Sequence, residues 1–231
     1  MTPLITPSSA SPPAASPFAL QLRRARLYGI LDTSYVSADD LVAKARALLE
    51  GGADVIQFRA KDESSSERAT LLEQLYPLFE DGTVPLILND DVDVACLYPG
   101  VGVHVGQDDL DPRVCRDRLG PDRIIGLSTH SEAQAAAAMA LTGVIDYFAV
   151  GPVFSTPTKP TYDAVGTELV AHVALQCPEL PWFAIGGINA ETIGEVVAAG
   201  APAVVAVSAL LETGSTASVT NALRAQVTHR Q

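Results

Sequence analysis

A chain of 231 residues that is 48% apolar, with a mean hydropathy of +0.22, can bury a full-sized core, as one large α/β domain or two small ones. Its net charge of −12 excludes a nucleic-acid surface, which needs clustered positive charge, and no apolar run approaches the roughly 20 residues of a membrane-spanning helix.

Residues 1–20 are rich in Pro, Ser and Ala and are expected to form a flexible tail ahead of a single catalytic domain at 21–231. The stretch lacks basic residues and a continuous apolar run, so it does not read as an export signal. Three scattered cysteines, Cys96, Cys115 and Cys177, have no metal-ligand spacing and suit a cytoplasmic protein with reduced thiols.

From there short apolar runs alternate with amphipathic or Ala-rich stretches. Strands are expected at 27–31, 55–58, 85–88, 102–104, 124–127, 147–150, 182–185 and 203–207. Helical patterns occupy 38–50, 65–79, 132–141 and 190–199, and the third and fourth units look short. Continuous apolar strands are buried on both faces, as in parallel sheets. Eight β-then-α units in about 205 residues therefore predict an α/β fold, a closed (β/α)8 TIM barrel, with an open doubly wound sheet as the alternative.

Such barrels place their chemistry at the carboxyl ends of the strands. The second strand ends in Gln57-x-Arg59-x-Lys61, whose alternation puts two cations and an amide on one side, suited to a diphosphate. The competing reading is a solvated strand end paired with Asp62 and Glu63. Asn89-Asp90 and Gly106-Gln107-Asp108-Asp109 bring carboxylates to adjacent strand ends, and Asp90 with Asp109 suits Mg2+, which keeps waters and bridges to phosphates. Asp91, Asp93 and Asp111 read instead as helix-start residues. His104 ends an apolar strand, as a hydrogen-bonded core residue or a pocket wall. Ser128 closes the fifth strand, and neither His130, His172 nor His229 has an evident partner.

The most informative segment is Asp146-Tyr-Phe-Ala-Val-Gly-Pro-Val-Phe-Ser-Thr-Pro-Thr-Lys159. Its loop holds Thr156, Thr158 and Lys159, two hydroxyls and an ammonium that can converge on an anion. Read alone, the loop is equally an ordinary polar turn. Gly186-Gly187 and Val207-Ser208 follow the last two strands, where backbone amides can hold a phosphate. Two anion sites result: Arg59, Lys61, Asp90, Asp109, Ser128 and Lys159 for a diphosphate with Mg2+, and Thr156, Thr158, Gly187 and Ser208 for a monophosphate. Two phosphorylated small molecules meeting over a metal suggest group transfer with diphosphate as the leaving group.

The stretches GADVIQFRAKD, LILNDDVDVA, GVHVGQDDL, IIGLSTHS, DYFAVGPVFSTPTKP, PWFAIGGI and VVAVSAL, in this order over 27–210, resemble the thiamine-phosphate synthase (thiamine-phosphate pyrophosphorylase) family. The resemblance implies a transferase that joins 4-amino-2-methyl-5-(diphosphooxymethyl)pyrimidine to a (carboxy)methylthiazole ethyl phosphate. It implies pyrimidine-diphosphate contacts at Gln57, Arg59, Lys61, Asn89, Ser128 and Lys159, with Mg2+ on Asp90 and Asp109. Thiazole phosphate would meet Thr156, Thr158, Gly186, Gly187, Val207 and Ser208. Ala60, Phe58 and Gly29 depart mildly from the pattern. A thiazole tautomerase or a non-catalytic phosphate-binding barrel would have no reason to keep the diphosphate cations. Whether the chain forms a homo-oligomer, and which thiazole it prefers, stay open.

Overall fold

The computed structural model describes residues 18–156, 163–212 and 214–228. Eight parallel strands close on themselves in sequence order: β1 Leu27–Asp32, β2 Val55–Arg59, β3 Leu86–Asn89, β4 Gly102–Val105, β5 Ile125–Thr129, β6 Tyr147–Val150, β7 Trp182–Ile185 and β8 Val204–Ala206. The seam pairs Leu27 with Val204 and Gly29 with Ala206. The (β/α)8 barrel is thus the architecture, and the open sheet is excluded by that seam.

Alternation divides the apolar residues into two cores. Outward-facing Leu27, Leu31, Ile56, Phe58, Leu88, Val103, Phe148 and Val204 pack under the surrounding helices. Inward-facing Tyr28, Ile30, Val55, Ile87, Tyr147, Phe183 and Val205 fill the barrel lumen. A short helix, α1 (Ala19–Arg24), closes the amino-terminal mouth with Leu22, 1% exposed and packed in the lumen cluster. The polar residues at the carboxyl ends of the strands line the opposite mouth.

The helices between strands are α2 (Leu41–Glu50), α3 (Ser65–Leu75), α4 (Val92–Cys96), α5 (Pro112–Leu119), α6 (Glu132–Met139), α7 (Gly166–Leu175) and α8 (Ile193–Ala198). The short third unit is real, since α4 has five residues. The expected helix starting at 38 opens instead with a 3-10 turn, Ala38–Asp40, and that ending at 79 closes with another, Tyr76–Leu78. Asp91 and Asp111 cap α4 and α5, each accepting a backbone N–H with its carboxylate. Asp93 lies in the first turn of α4 and pairs with Arg118. A four-residue turn of helix, α9 (Ser208–Leu211), and a terminal α10 (Thr216–Thr228) complete the ring. No described helix is long and apolar enough to cross a membrane.

Candidate active site

One pocket opens at the carboxyl-terminal mouth, walled by Ile30, Ile185, Val205 and Val207 and edged by polar strand ends. Seven of the eight strands or the loops after them contribute to it the expected residues Gln57, Arg59, Asn89, His104, Ser128, Thr156, Gly186, Gly187, Val207 and Ser208, along with unforeseen ones. Thr158 and Lys159 lie outside the described residues, as does His229.

At one side is an ionic cluster. Arg59 Nη1 lies 2.6 Å from Asp32 Oδ2, a carboxylate 1% exposed that also accepts from the Ser34 hydroxyl at 2.6 Å. The partner of Arg59 is therefore this residue on the neighbouring strand, and neither Asp62 nor Glu63. Among the described residues Arg59 Nε is buried without an acceptor, a donor in need of an anion. Lys61, two residues past β2, reaches Asp90 Oδ2 at 2.5 Å, and Asn89 Nδ2 donates to the same oxygen at 2.6 Å. Burial pushes the Asp90 carboxyl above its ordinary range, reinforced by the neighbouring Asp109 and opposed by Lys61. Asp90 also adopts a left-handed backbone (φ 62°), unusual away from glycine, and its carboxylate lies beside that of Asp109. Asp109 is steadied by the Gly106 N–H at 2.7 Å. Among the described residues, Asp32, Asp90 and Asp109 set three carboxylates against the two cations Arg59 and Lys61. A diphosphate is repelled from that balance unless further positive charge comes with it. Two adjacent carboxylates, one of them reluctant to ionise, fit a divalent cation that retains its waters.

The opposite side is built by two interlocked loops. A side-chain carbon on Gly151 would lie 2.0 Å from Ile185 O, and one on Gly186 2.4 Å from Pro152 Cα. Gly186 and Gly187 also have positive φ, 107° and 65°. Only glycine allows the β6 and β7 loops to approach so closely, and Thr156 is carried into the pocket beside them. His130 is fixed there by its ring Nδ1, which bonds Gly151 O, and His172 meets Glu132 at 3.3 Å; both partners are too distant in sequence to be read from it.

The floor is polar in an unforeseen way. Gln57 Nε2 donates to the Tyr28 hydroxyl at 2.7 Å, and the Tyr28 and Tyr147 hydroxyls meet at 2.8 Å. Tyr147 then meets His104 Nδ1 at 2.9 Å, and His104 Nε2 meets Ser128 Oγ at 2.8 Å. His104 is thus both a hydrogen-bonded core residue and a pocket wall. The tyrosine rings pack edge-on against each other and against Phe183. Sequence reading passed over Tyr28 and Tyr147 because they sit inside strands, and over Asp32 although it ends β1. Their signal was parity: each shares the inward face with a pocket residue, and a buried hydroxyl or carboxylate there requires a partner.

Barrel and pocket together define a class: a (β/α)8 barrel with cations and an acidic pair at the strand ends on one side of its mouth and glycine-rich loops on the other. The thiamine monophosphate synthase family profile matches residues 27–210. The thiamine-phosphate synthase of Acidothermus cellulolyticus is 41% identical over 191 residues, 83% of this chain and 89% of that one. That of Synechocystis is 40% identical over 82% of this chain, which spans only 54% of that longer relative. A solved thiamine phosphate pyrophosphorylase from Pyrococcus furiosus superposes with a TM-score of 0.78 at 28% identity, covering 91% of this chain and 98% of that one. The chain belongs to the thiamine-phosphate synthase family, and its activity is that family's, a transferase step of thiamine biosynthesis.

Proposed function

We propose that the pocket takes a 4-aminopyrimidine bearing a diphosphooxymethyl group and a thiazole ethyl phosphate, and joins them into thiamine phosphate. The observation that carries this reading is the orphaned Arg59 Nε beside the Lys61, Asp90 and Asp109 cluster, a place made for a polyanion and its counter-ion. Gln57, Asn89 and Ser128 border the same side and orient the pyrimidine. Thr156, the Gly186-Gly187 turn and the Val207-Ser208 segment border the other and receive the thiazole phosphate. Lys159 and Thr158, outside the described residues, are assigned from the sequence to the diphosphate and the thiazole phosphate respectively.

The chemistry suits a dissociative substitution. The methylene C–O bond breaks with its electron pair leaving on diphosphate, the electron-rich aminopyrimidine stabilises the resulting cation, and the thiazole nitrogen lone pair forms the new C–N bond. Arg59 and Lys61 stabilise the departing charge, and the apolar walls Ile30, Ile185 and Val205 exclude water that would otherwise capture the cation. Asp90 and Asp109 would hold Mg2+, which would neutralise diphosphate charge beside three carboxylates. Three cysteines without disulfides fit a cytoplasmic location.

The test mixes purified protein with both phosphorylated substrates, with and without Mg2+. Thiamine phosphate and diphosphate are expected in equal amounts and only with Mg2+. Absence of thiamine phosphate when Mg2+ is present sinks the assignment.

A further inference from the structure

The five side chains on the pocket floor form one continuous hydrogen-bonded line from β2 to β5, and its direction can be worked out by counting protons. An amide nitrogen only donates, so Gln57 Nε2 fills an acceptor position on the Tyr28 oxygen. Among the described residues the one remaining partner of the Tyr28 hydroxyl is Tyr147, so Tyr28 donates to it. The Tyr147 proton, denied Tyr28, goes to His104 Nδ1. A neutral imidazole that accepts at Nδ1 carries its proton at Nε2, and that N–H donates to Ser128 Oγ. The Ser128 proton cannot point back at a protonated nitrogen, and it turns into the pocket that Ser128 lines.

We propose that Tyr28 and Tyr147 are positioning residues: their hydroxyls carry one hydrogen-bond direction across the barrel, hold His104 as the Nε2–H tautomer, and so aim the Ser128 hydroxyl proton at an acceptor atom of the pyrimidine diphosphate. The identity of the ligand rests on the function proposed above, whereas the direction of the line does not. Burial holds both phenols well above their ordinary pKa, so the line keeps its full set of protons at neutral pH. The same direction has a chemical consequence. Ser128 and His104 are as close as a nucleophile and its base, yet a protonated Nε2 cannot take the serine proton, so the pair is an orienting device and not a hydrolytic one.

Long-range 15N–1H NMR on histidine-labelled protein without substrates reads the tautomer directly. His104 is expected with its proton on Nε2, and a proton on Nδ1 overturns the proposal even if the protein proves to be a different enzyme. Tyr147→Phe should release His104 to a mixture of tautomers and raise KM for the pyrimidine diphosphate about tenfold, with KM for the thiazole phosphate unchanged. A Tyr147→Phe protein with a wild-type tautomer and KM, merely less heat-stable, shows a packing role only and overturns the proposal as well. Should that variant not fold, the wild-type tautomer still decides.

Discussion

At the scale of single residues, the site depends on what its neighbours leave out. Gly126 on β5 faces the lumen, and a side-chain carbon there would lie 2.1 Å from Tyr147 Cζ and 2.4 Å from its hydroxyl. The glycine of the IIGLST stretch is therefore the space that the Tyr147 ring fills, and without it the ring could not reach both Tyr28 and His104. Gly126→Ala is expected to cost about 3 kcal/mol in urea denaturation, since a fully packed lumen has nowhere to move the ring. A loss below about 0.5 kcal/mol would show that Tyr147 is not held as described. Asp32 makes the complementary point. Its carboxylate pairs with Arg59 through Nη1, so the cation that the sequence offered to a diphosphate is already partly engaged, while its buried Nε still has no acceptor among the described residues.

At the scale of elements, adjacent aspartates do different work because one caps a helix and the other lies in the turn just after a strand. Asp90 faces Lys61 and Asp109, whereas Asp91 caps α4 through the Val94 N–H at 3.0 Å. Asp91 also accepts from Ser65 at 2.8 Å and pairs with Arg68, joining α3 to α4. Arg68 in turn donates to Ala60 O at 3.0 Å and Glu63 O at 2.8 Å, bracing the loop that carries Lys61. Asp91→Ala should therefore lower stability by about 2 kcal/mol, combining a lost cap with a half-buried ion pair, while the Mg2+ concentration for half-maximal activity stays near wild type. Activity titrated against Mg2+ separates the two aspartates; a shift in Asp91→Ala as large as in Asp90→Asn would mean the cap and the ligand had been exchanged.

At the scale of the whole molecule, the closed barrel is covered by a helix beyond the family match. Helix α10 packs across α2, α8 and β1, burying Leu223 and Val227 over the seam between first and last strands. Lys44 on α2 donates to Leu211 O and to Thr216 Oγ1, both at 3.0 Å. Arg224 Nη2 meets Asp54 Oδ1 at 2.8 Å, and Asp54 Oδ2 accepts the backbone N–H groups of Arg26 and Leu27 where β1 begins. Leu223→Ala is expected to cost about 3 kcal/mol of unfolding free energy and to leave both KM values unchanged, because the helix lies outside the barrel wall. Changed KM values at equal stability would place α10 in communication with the pocket. The sequence by itself determined the eightfold alternation, the strand ends that carry charge and the family, because apolar periodicity and contiguous motifs are local properties of a chain. It also marked Arg59, Lys61, Asp90 and Asp109, since clustered charge on an acidic, apolar chain is conspicuous. Only the tertiary structure decided that Asp32 answers Arg59, that two loops interlock through glycines, and that Gln57, Tyr28, Tyr147, His104 and Ser128 form one line. Those residues come from five strands as far apart as 119 positions, and their partnership exists only once the barrel closes.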